Sequence, residues 1–369
     1  MTIGDLPTVL FVNTPAQMGG SNRSMVNILQ SLEGRVRRVL ASPSFGDFRS
    51  VVEAEGLAEE LIDLPRKPGS PVDRALRVLA GLKLAWWVLR HRGHLSAIHA
   101  NALTGLNLSV PASLIHKGPI VVWIHDPVGS KWGSRLGPVI KRLVPRLRIA
   151  AVSRTAEAVA VENGLCSAGD ATLIPNPIDP ADVVAARAPR TNGKISIGVL
   201  GGASHRKGFD LLPDTIELID DDRVVWDLYI SSVVEPGMEA TWERLDGFPE
   251  GRVRLHEKVF DVSQVYAKLD IVYCPSRNES FCRVAAEAML NGIPVVGSDI
   301  EPLRNLLGDD EAGLVFRVEN AEEAADSLRR LIHDEGLRAQ LGSVGKERSS
   351  KFHPTAIAGQ LLGLYGTGA

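Results

Sequence analysis

Short apolar, β-branched runs alternate with helix-length segments along almost the whole chain. Thr8 to Asn13, Val36 to Ala41, Leu61 to Leu64, Ala97 to His99, Ile120 to Ile124 and Arg148 to Val152 form a first series. Lys194 to Leu200, Val224 to Ile230, Arg252 to Leu255, Asp270 to Cys274, Pro294 to Gly297 and Gly313 to Phe316 form a second. Each run is followed by a stretch long enough for a helix, which is the pattern of a parallel sheet covered on both faces. Between the series, Ala181 to Gly193 is rich in Ala, Arg and Pro and reads as a linker. The expected fold is therefore α/β, with two tandem Rossmann-like, doubly wound parallel-sheet domains. They would span 1–180 and 194–350, with a linker at 181–193 and a final helical segment at 351–369 that packs back on the N-terminal domain. Ligands are expected in an interdomain cleft, at the carboxyl ends of the strands. At ~150 residues per domain, 369 residues suit two such cores.

Composition narrows the class. A chain that is 44% hydrophobic and 23% charged is neither disordered, collagenous nor a coiled coil as a whole. Cys166, Cys274 and Cys282 are odd in number and include no C-x-x-C pair, so a disulfide framework or a cysteine zinc site is not expected. A reducing cytoplasm suits them. Met1 to Asp5 lacks a basic n-region and no run nears the ~20 apolar residues of a membrane span, so neither secretion by that route nor integral insertion is expected.

Charge is unevenly placed. Up to Pro180 there are 20 basic and 14 acidic residues, and beyond it 21 and 30. From Arg66 to Arg148, 14 Lys and Arg face only Asp73 and Asp126. That stretch suits an anionic partner, and charge alone does not separate nucleic acid, a membrane surface and a phosphorylated acceptor. Within it, Asp73 to Arg92 reads as a helix with Leu76, Leu79, Leu82, Trp86 and Leu89 in three- and four-residue steps. Such a helix belongs either in the core of the N-terminal sheet or at a bilayer interface. Lys131, Arg135, Lys141, Arg142, Arg146 and Arg148 supply a second basic strip.

Three segments have the makings of chemistry. After the first strand, Gly19-Gly20 precedes an apolar-periodic helix, with Ser21 the expected N-cap and free amides available to a phosphate. After the strand Lys194 to Leu200, Arg206 and Lys207 are expected beside a helix N-terminus, where the dipole makes cations poor choices for stability but good ligands for a diphosphate. In Pro275 to Val296, Glu279 lies in a loop and Glu287 on the helix after it, so both carboxylates can accept hydroxyls of one ligand. The run Asp220-Asp221-Asp222 imitates a metal-binding D-x-D but has no histidine or glycine loop beside it, and no metal is expected.

With these segments in hand, the chain resembles the retaining glycosyltransferases of family 4, a GT-B group that uses nucleotide-activated sugars. The resemblance spans nearly the whole chain. It includes Gly19-Gly20, Ile98-His99-Ala100-Asn101, the histidine of Trp123-Ile124-His125-Asp126, Val152-Ser153, Ile174-Pro175-Asn176-Pro177, Arg206-Lys207-Gly208 and the Glu279-x7-Glu287 segment. It implies that Glu287 binds ribose hydroxyls and Glu279 a donor-sugar hydroxyl. Arg206 and Lys207 would hold the diphosphate, and the amides around Ser280, Phe281, Cys282, Arg283 and Val284 would hold sugar and diphosphate. Gly19 and Gly20 would approach the phosphates, His125 the sugar near the reacting centre, and Lys258 and Val259 the base. The family's Glu-Gly-Phe-Gly appears here as Glu279-Ser280-Phe281-Cys282, and its Gly-Arg before Lys-Gly as Gly201-Gly202.

The implied activity is metal-independent, retaining transfer from a nucleotide-diphosphate sugar, UDP favoured and GDP second, to an acceptor in glycolipid, cell-surface polysaccharide or other glycoconjugate synthesis. The nucleotide sugar is a substrate, so no cofactor is expected, and no nucleic acid partner. An anionic or lipid-linked acceptor and peripheral contact with an anionic membrane through 66–148 would place the chain in the cytoplasm or at the inner face of the cytoplasmic membrane. Other readings are a non-catalytic sugar-nucleotide-binding or membrane scaffold protein, and a GT-B sugar-nucleotide epimerase.

Overall fold

The computed structural model describes residues 6–65, 71–126, 137–180, 193–256 and 263–367. The chain divides into two compact units, Met1–Pro177 with Pro354–Ala369, and Ile178–His353. The expected linker falls on 181–192, outside the described residues, except for Gly193.

In the first unit β1 (Thr8–Asn13), β2 (Arg37–Pro43), β3 (Glu60–Leu64), β4 (Leu95–Asn101), β5 (Ile120–Ile124), β6 (Leu147–Ala151) and β7 (Thr172–Leu173) form one parallel sheet in the order β3-β2-β1-β4-β5-β6-β7. Its helices are α1 (Gly20–Ser31), α2 (Asp47–Ala54), α3 (Pro71–His91), α4 (Ala102–Ser113), α5 (Gly137–Leu143) and α6 (Arg154–Glu162). Both faces of the sheet are covered, so central strands such as β1 and β5 are buried at every residue and read as unbroken apolar runs. Gly105 lets α4 lie against β1, since a Cβ there would come within 2.6 Å of the Val12 carbonyl oxygen. β7 has only two residues, both exposed, too short to leave a periodic signal.

The second unit repeats the winding. β8 (Ile195–Ala203), β9 (Val224–Val234), β10 (Val253–His256), β11 (Ile271–Cys274), β12 (Val295–Ser298) and β13 (Gly313–Phe316) pair in parallel in the order β10-β9-β8-β11-β12-β13. The helices are α7 (Leu212–Leu218), α8 (Glu239–Asp246), α9 (Ser263–Tyr266), α10 (Arg283–Leu290), α11 (Glu301–Leu307), α12 (Ala321–His333) and α13 (Glu335–Ser349). Trp226, Tyr273, Phe316, Leu328 and Leu331 are buried in its core.

The last helix, α14 (Pro354–Tyr365), belongs to the first unit. Ile357, Ala358, Leu361, Leu362 and Tyr365 are buried, and Tyr365 Oη lies 2.7 Å from His99 Nδ1. Arg148 Nη1 donates to the Leu364 carbonyl at 2.6 Å, holding the helix C-terminus. Arg148 thus serves the fold while staying exposed in the basic strip, of which Lys131 and Arg135 lie outside the described residues.

Candidate functional site

In each unit the strand order reverses beside the first strand, between β1 and β4 and between β8 and β11. The gap beyond the strand ends at that reversal is where doubly wound sheets bind ligands. Residues singled out from the sequence gather at both.

In the second unit β8 runs out through Gly201 and Gly202 to Ser204, whose Oγ accepts from Lys207 N at 3.3 Å and caps a 3-10 turn over His205–Lys207. Gly208 follows with φ +68, where a Cβ would stand 1.9 Å from the Pro275 carbonyl oxygen. Glycine is what lets this turn press against the end of β11. Lys207 Nζ consequently pairs with Glu279 Oε1. Arg206 Nη1 lies 3.5 Å from Glu279 Oε2 and donates to the Asn278 carbonyl at 2.9 Å. Ser276 Oγ donates to Glu279 Oε1 at 3.1 Å. Burial works against charge on Lys207, but the Glu279 carboxylate outweighs it and raises the ammonium pKa above its ordinary value. Arg277 braces the arrangement, donating to both carboxylate oxygens of Asp210 at 2.6 and 2.8 Å and to the His205 carbonyl at 2.6 Å.

One expectation is corrected here. Arg206 and Lys207 do not flank a helix N-terminus, because α7 begins only at Leu212 and a second 3-10 turn, Phe209–Leu211, intervenes. Their mutual repulsion is met by Glu279 instead.

Glu287, in the second turn of α10, accepts from Tyr266 Oη at 2.9 Å, and Arg283 Nη2 lies 3.0 Å from its other oxygen. Burial, and then the Glu287 charge, push the Tyr266 hydroxyl well above its usual pKa. Cys282 is the N-cap of α10 with φ +63, in the left-handed region, where the family pattern has glycine. A side chain in that conformation costs about 1 to 2 kcal/mol. Its Sγ stands 3.9 Å from Cys274 Sγ, and that contact together with burial raises the Cys274 thiol pKa well above normal. Phe281 turns its ring inward, 5.3 Å from Phe352 and edge-on, so it offers a ligand only backbone. Ser280 and Val284 are half-buried. A small recess of about 20 Å³ lies among Gly201, Gly202, Lys207, Ser276, Cys282 and Val284. Lys258 and Val259 lie outside the described residues.

The first unit's cluster is built on side-chain amides. Asn101 Nδ2 donates to Asn13 Oδ1 at 2.6 Å, Asn13 Nδ2 to Asn22 Oδ1 at 3.0 Å, and Asn22 Nδ2 to the carbonyls of Pro15 and Gln17 at 3.0 and 2.8 Å. These amides shape the loop that leads into α1. Gly19 is its N-cap, so Ser21, expected at that position, lies inside the first turn. A Cβ on Gly19 would meet nothing within 4 Å. Ser24 Oγ donates to the Gly20 carbonyl at 3.0 Å and to Asn176 Oδ1 at 2.9 Å, and the same Oδ1 lies 2.8 Å from His125 Nδ1. Because an amide oxygen only accepts, His125 Nδ1 carries a proton directed at Asn176. Next to it, burial first and then His125 lower the His99 pKa to about 3.

Asn176 and Ser24 were not assigned roles from the sequence, nor was Tyr266. The Asn-Pro after β7 and the serine one turn past Gly20 are the only local signs of the first two. Asp221 of the acidic run is held by Arg223 at 2.7 and 3.0 Å, which takes its carboxyl down to about 2. Among the described residues no group of three or more His, Cys, Asp or Glu is placed to hold a metal ion.

Two family models match the chain, Glycosyltransferase Family 4 over residues 18–182 and Glycosyl transferases group 1 over 186–348. The phosphatidyl-myo-inositol mannosyltransferase of Mycobacterium leprae is 26% identical over 292 residues, covering 74% of each chain. The D-inositol 3-phosphate glycosyltransferase of Corynebacterium aurimucosum is 36% identical over 101 residues, 27% of this chain and 24% of that protein. The crystal structure of Anabaena HepE in complex with UDP and glucose superposes with a TM-score of 0.78 at 20% identity, covering 97% of this chain and 98% of that one.

Proposed function

The chain belongs to glycosyltransferase family 4, and from that premise we propose that it moves a sugar from a nucleotide-diphosphate sugar to an anionic or lipid-linked acceptor, with retention at the anomeric carbon. The observation that carries this reading is the cluster of exposed Arg206 and half-buried Lys207 on the buried Glu279 carboxylate, beside the start of α10. Two cations and the first amides of a helix, converging at the strand ends, suit a diphosphate. Glu279 would accept a donor-sugar hydroxyl while sharing Lys207 with the phosphate. Glu287 has lone pairs beyond those facing Tyr266 and Arg283, and these would take the ribose hydroxyls.

The acceptor oxygen bonds to the anomeric carbon as the carbon–oxygen bond to phosphate breaks, and the acceptor proton passes to the departing diphosphate. The enzyme's share is positioning and stabilising the charge that develops on that diphosphate. Arg206, Lys207 and the α10 amides supply that field, which supports a metal-independent reaction. His125, oriented by Asn176, is assigned the task of orienting the sugar. UDP is favoured because the fold-matched HepE structure holds UDP with glucose. A lipid-linked acceptor is favoured because a relative covering 74% of the chain is named for transfer to phosphatidyl-myo-inositol.

The test is calorimetric titration with UDP, GDP and ADP and their sugars, followed by nucleotide release with and without a phosphoinositide acceptor, in the presence of EDTA. Release of nucleotide diphosphate that requires the acceptor supports transfer. Conversion of the donor with no acceptor points to an epimerase, and binding without turnover to a sugar-nucleotide-binding protein.

A further inference from the structure

Helix α3 turns toward solvent a face of the kind a soluble helix usually buries. Leu76, Val78, Leu79, Leu82, Trp86 and Leu89 are exposed, Val78 at 64%, Leu79 at 60% and Trp86 at 57%. The core-facing side is already filled by Ala80, Leu84, Ala85, Trp87 and Val88. It is pressed so near α4 that a Cβ on Gly81 would lie 3.2 Å from Pro111 Cγ. The outward residues are therefore a second apolar stripe and not the edge of the first. Adjacent tryptophans separate the two sides. Trp87 turns inward and its Nε1 donates to Glu60 Oε1 at 2.6 Å, while Trp86 points out with the Arg90 guanidinium 4.6 Å above its ring. A contiguous exposed stripe of this kind marks a docking surface.

Charge decides what it docks on. No Asp or Glu occurs between Asp73 and Asp126, and exposed Lys83, Arg90 and Arg92 border the stripe. In the same unit, α5 repeats the combination on a smaller scale, with Val139 and Leu143 each 50% exposed beside exposed Lys141 and Arg142. An apolar centre with a cationic margin complements an anionic bilayer surface, where the acyl boundary takes Leu and Trp and the headgroup phosphates take Lys and Arg. Among the described residues no helix is long and apolar enough to cross a membrane, so α3 would lie in the interface plane.

We propose that the outward face of α3, from Leu76 to Leu89 with Lys83 and Arg90, docks the N-terminal unit on an anionic phospholipid bilayer. None of these residues belongs to the two clusters described above, and the proposal does not rest on the transfer reaction.

The test is cosedimentation of the full chain with phosphatidylcholine vesicles, with and without phosphatidylglycerol, at low and high salt. Binding to the phosphatidylglycerol vesicles that weakens with salt is expected. Leu82→Glu and Trp86→Glu, at exposed positions, should each lower vesicle affinity about tenfold or more, with melting temperature and nucleotide-diphosphate binding unchanged. Lys83→Gln combined with Arg90→Gln should flatten the salt dependence. The proposal is overturned if neither vesicle binds, if neutral and anionic vesicles bind alike, or if the two Glu variants bind as the parent does. Self-association in sedimentation velocity that Trp86→Glu abolishes, without vesicle binding, would assign the stripe to a second copy and overturn it as well.

Discussion

The two units share a winding order and place their candidate residues at the same topological point, yet they equip that point differently. In the C-terminal unit it is built from charge, with Arg206 and Lys207 on Glu279, Arg277 on Asp210 and Arg283 on Glu287. In the N-terminal unit it is built from amides and a hydroxyl, Asn13, Asn22, Ser24, Asn101 and Asn176, with His125 held on Asn176. Buried charges stay put only when paired, so removing one partner leaves its mate exposed to a large desolvation cost. A network of amides and hydroxyls fixes shape without that cost. The contrast teaches that the same winding point can be held by ion pairs in one sheet and by amide hydrogen bonds in the other.

The largest expected effect tests the backbone under each arrangement. Gly208→Ala should destabilise the C-terminal unit by about 3 kcal/mol, from left-handed strain plus overpacking against Pro275. Gly19→Ala, with nothing near its Cβ, should stay within about 0.5 kcal/mol. Hydrogen exchange over β8 and β1 reads the two separately, and equal losses would erase the distinction between a braced and an open turn.

Next comes Lys207→Ala, which should weaken nucleotide-diphosphate binding by about 1.5 to 3 kcal/mol, the range for a charge-assisted hydrogen bond. Glu287→Ala should act similarly through the ribose. Titration calorimetry giving parental affinity for both would remove the charged cluster from the donor site.

Acid should sharpen the difference from the other side. His99 titrates at 6.5 when unfolded and about 3 when folded, so below pH 6.5 the unfolded N-terminal unit takes up a proton that the folded one refuses. Stability from His99 is therefore complete above pH 6.5 and falls as pH drops toward 3, by about 2 kcal/mol at pH 5. Burial lowers the His116 pKa too, which adds a slope of the same sign. Melting curves at pH 7 and pH 5 should show a smaller difference in His99→Gln than in the parent. An unchanged difference would mean that His99 does not contribute to it.

The smallest effect concerns aim. Asn176→Ala removes the contact at His125 Nδ1 and should lower turnover about tenfold, roughly 1.4 kcal/mol of barrier, with nucleotide affinity untouched. A matching loss of affinity would show that the amide cluster also holds the nucleotide.

Much of this was legible beforehand. Thr8–Asn13, Ile120–Ile124 and Gly313–Phe316 are strands with the ends read from the sequence, because a doubly covered sheet leaves unbroken apolar runs bounded by polar turns. The α3 helix was legible for the same reason, through its period. Ser21 was misread as a cap because an N-cap preference is local, whereas Asn22, anchored to Asn13 and the loop carbonyls, holds the turn that starts α1 at Gly20. The fate of α3's two apolar sides was open, since Trp86 and Trp87 are chemically identical neighbours. Packing on α4 chose between them.

Sequence alone thus determined what depends on near neighbours: the alternation that makes two parallel sheets, the basic stretch without acids, and the residue types able to meet a phosphate. Tertiary structure decided every pairing between distant segments. Lys207 and Glu279 stand 72 positions apart and His125 and Asn176 stand 51 apart, and nothing in either segment names its partner. The strand order supplies it, by bringing the ends of β8 and β11 side by side at the reversal of one sheet and the ends of β5 and β7 to either side of β6 in the other. Whether a cation is a solvated surface charge or half of a buried pair follows from that juxtaposition, because desolvation and Coulomb attraction depend on distance in space and not on separation along the chain.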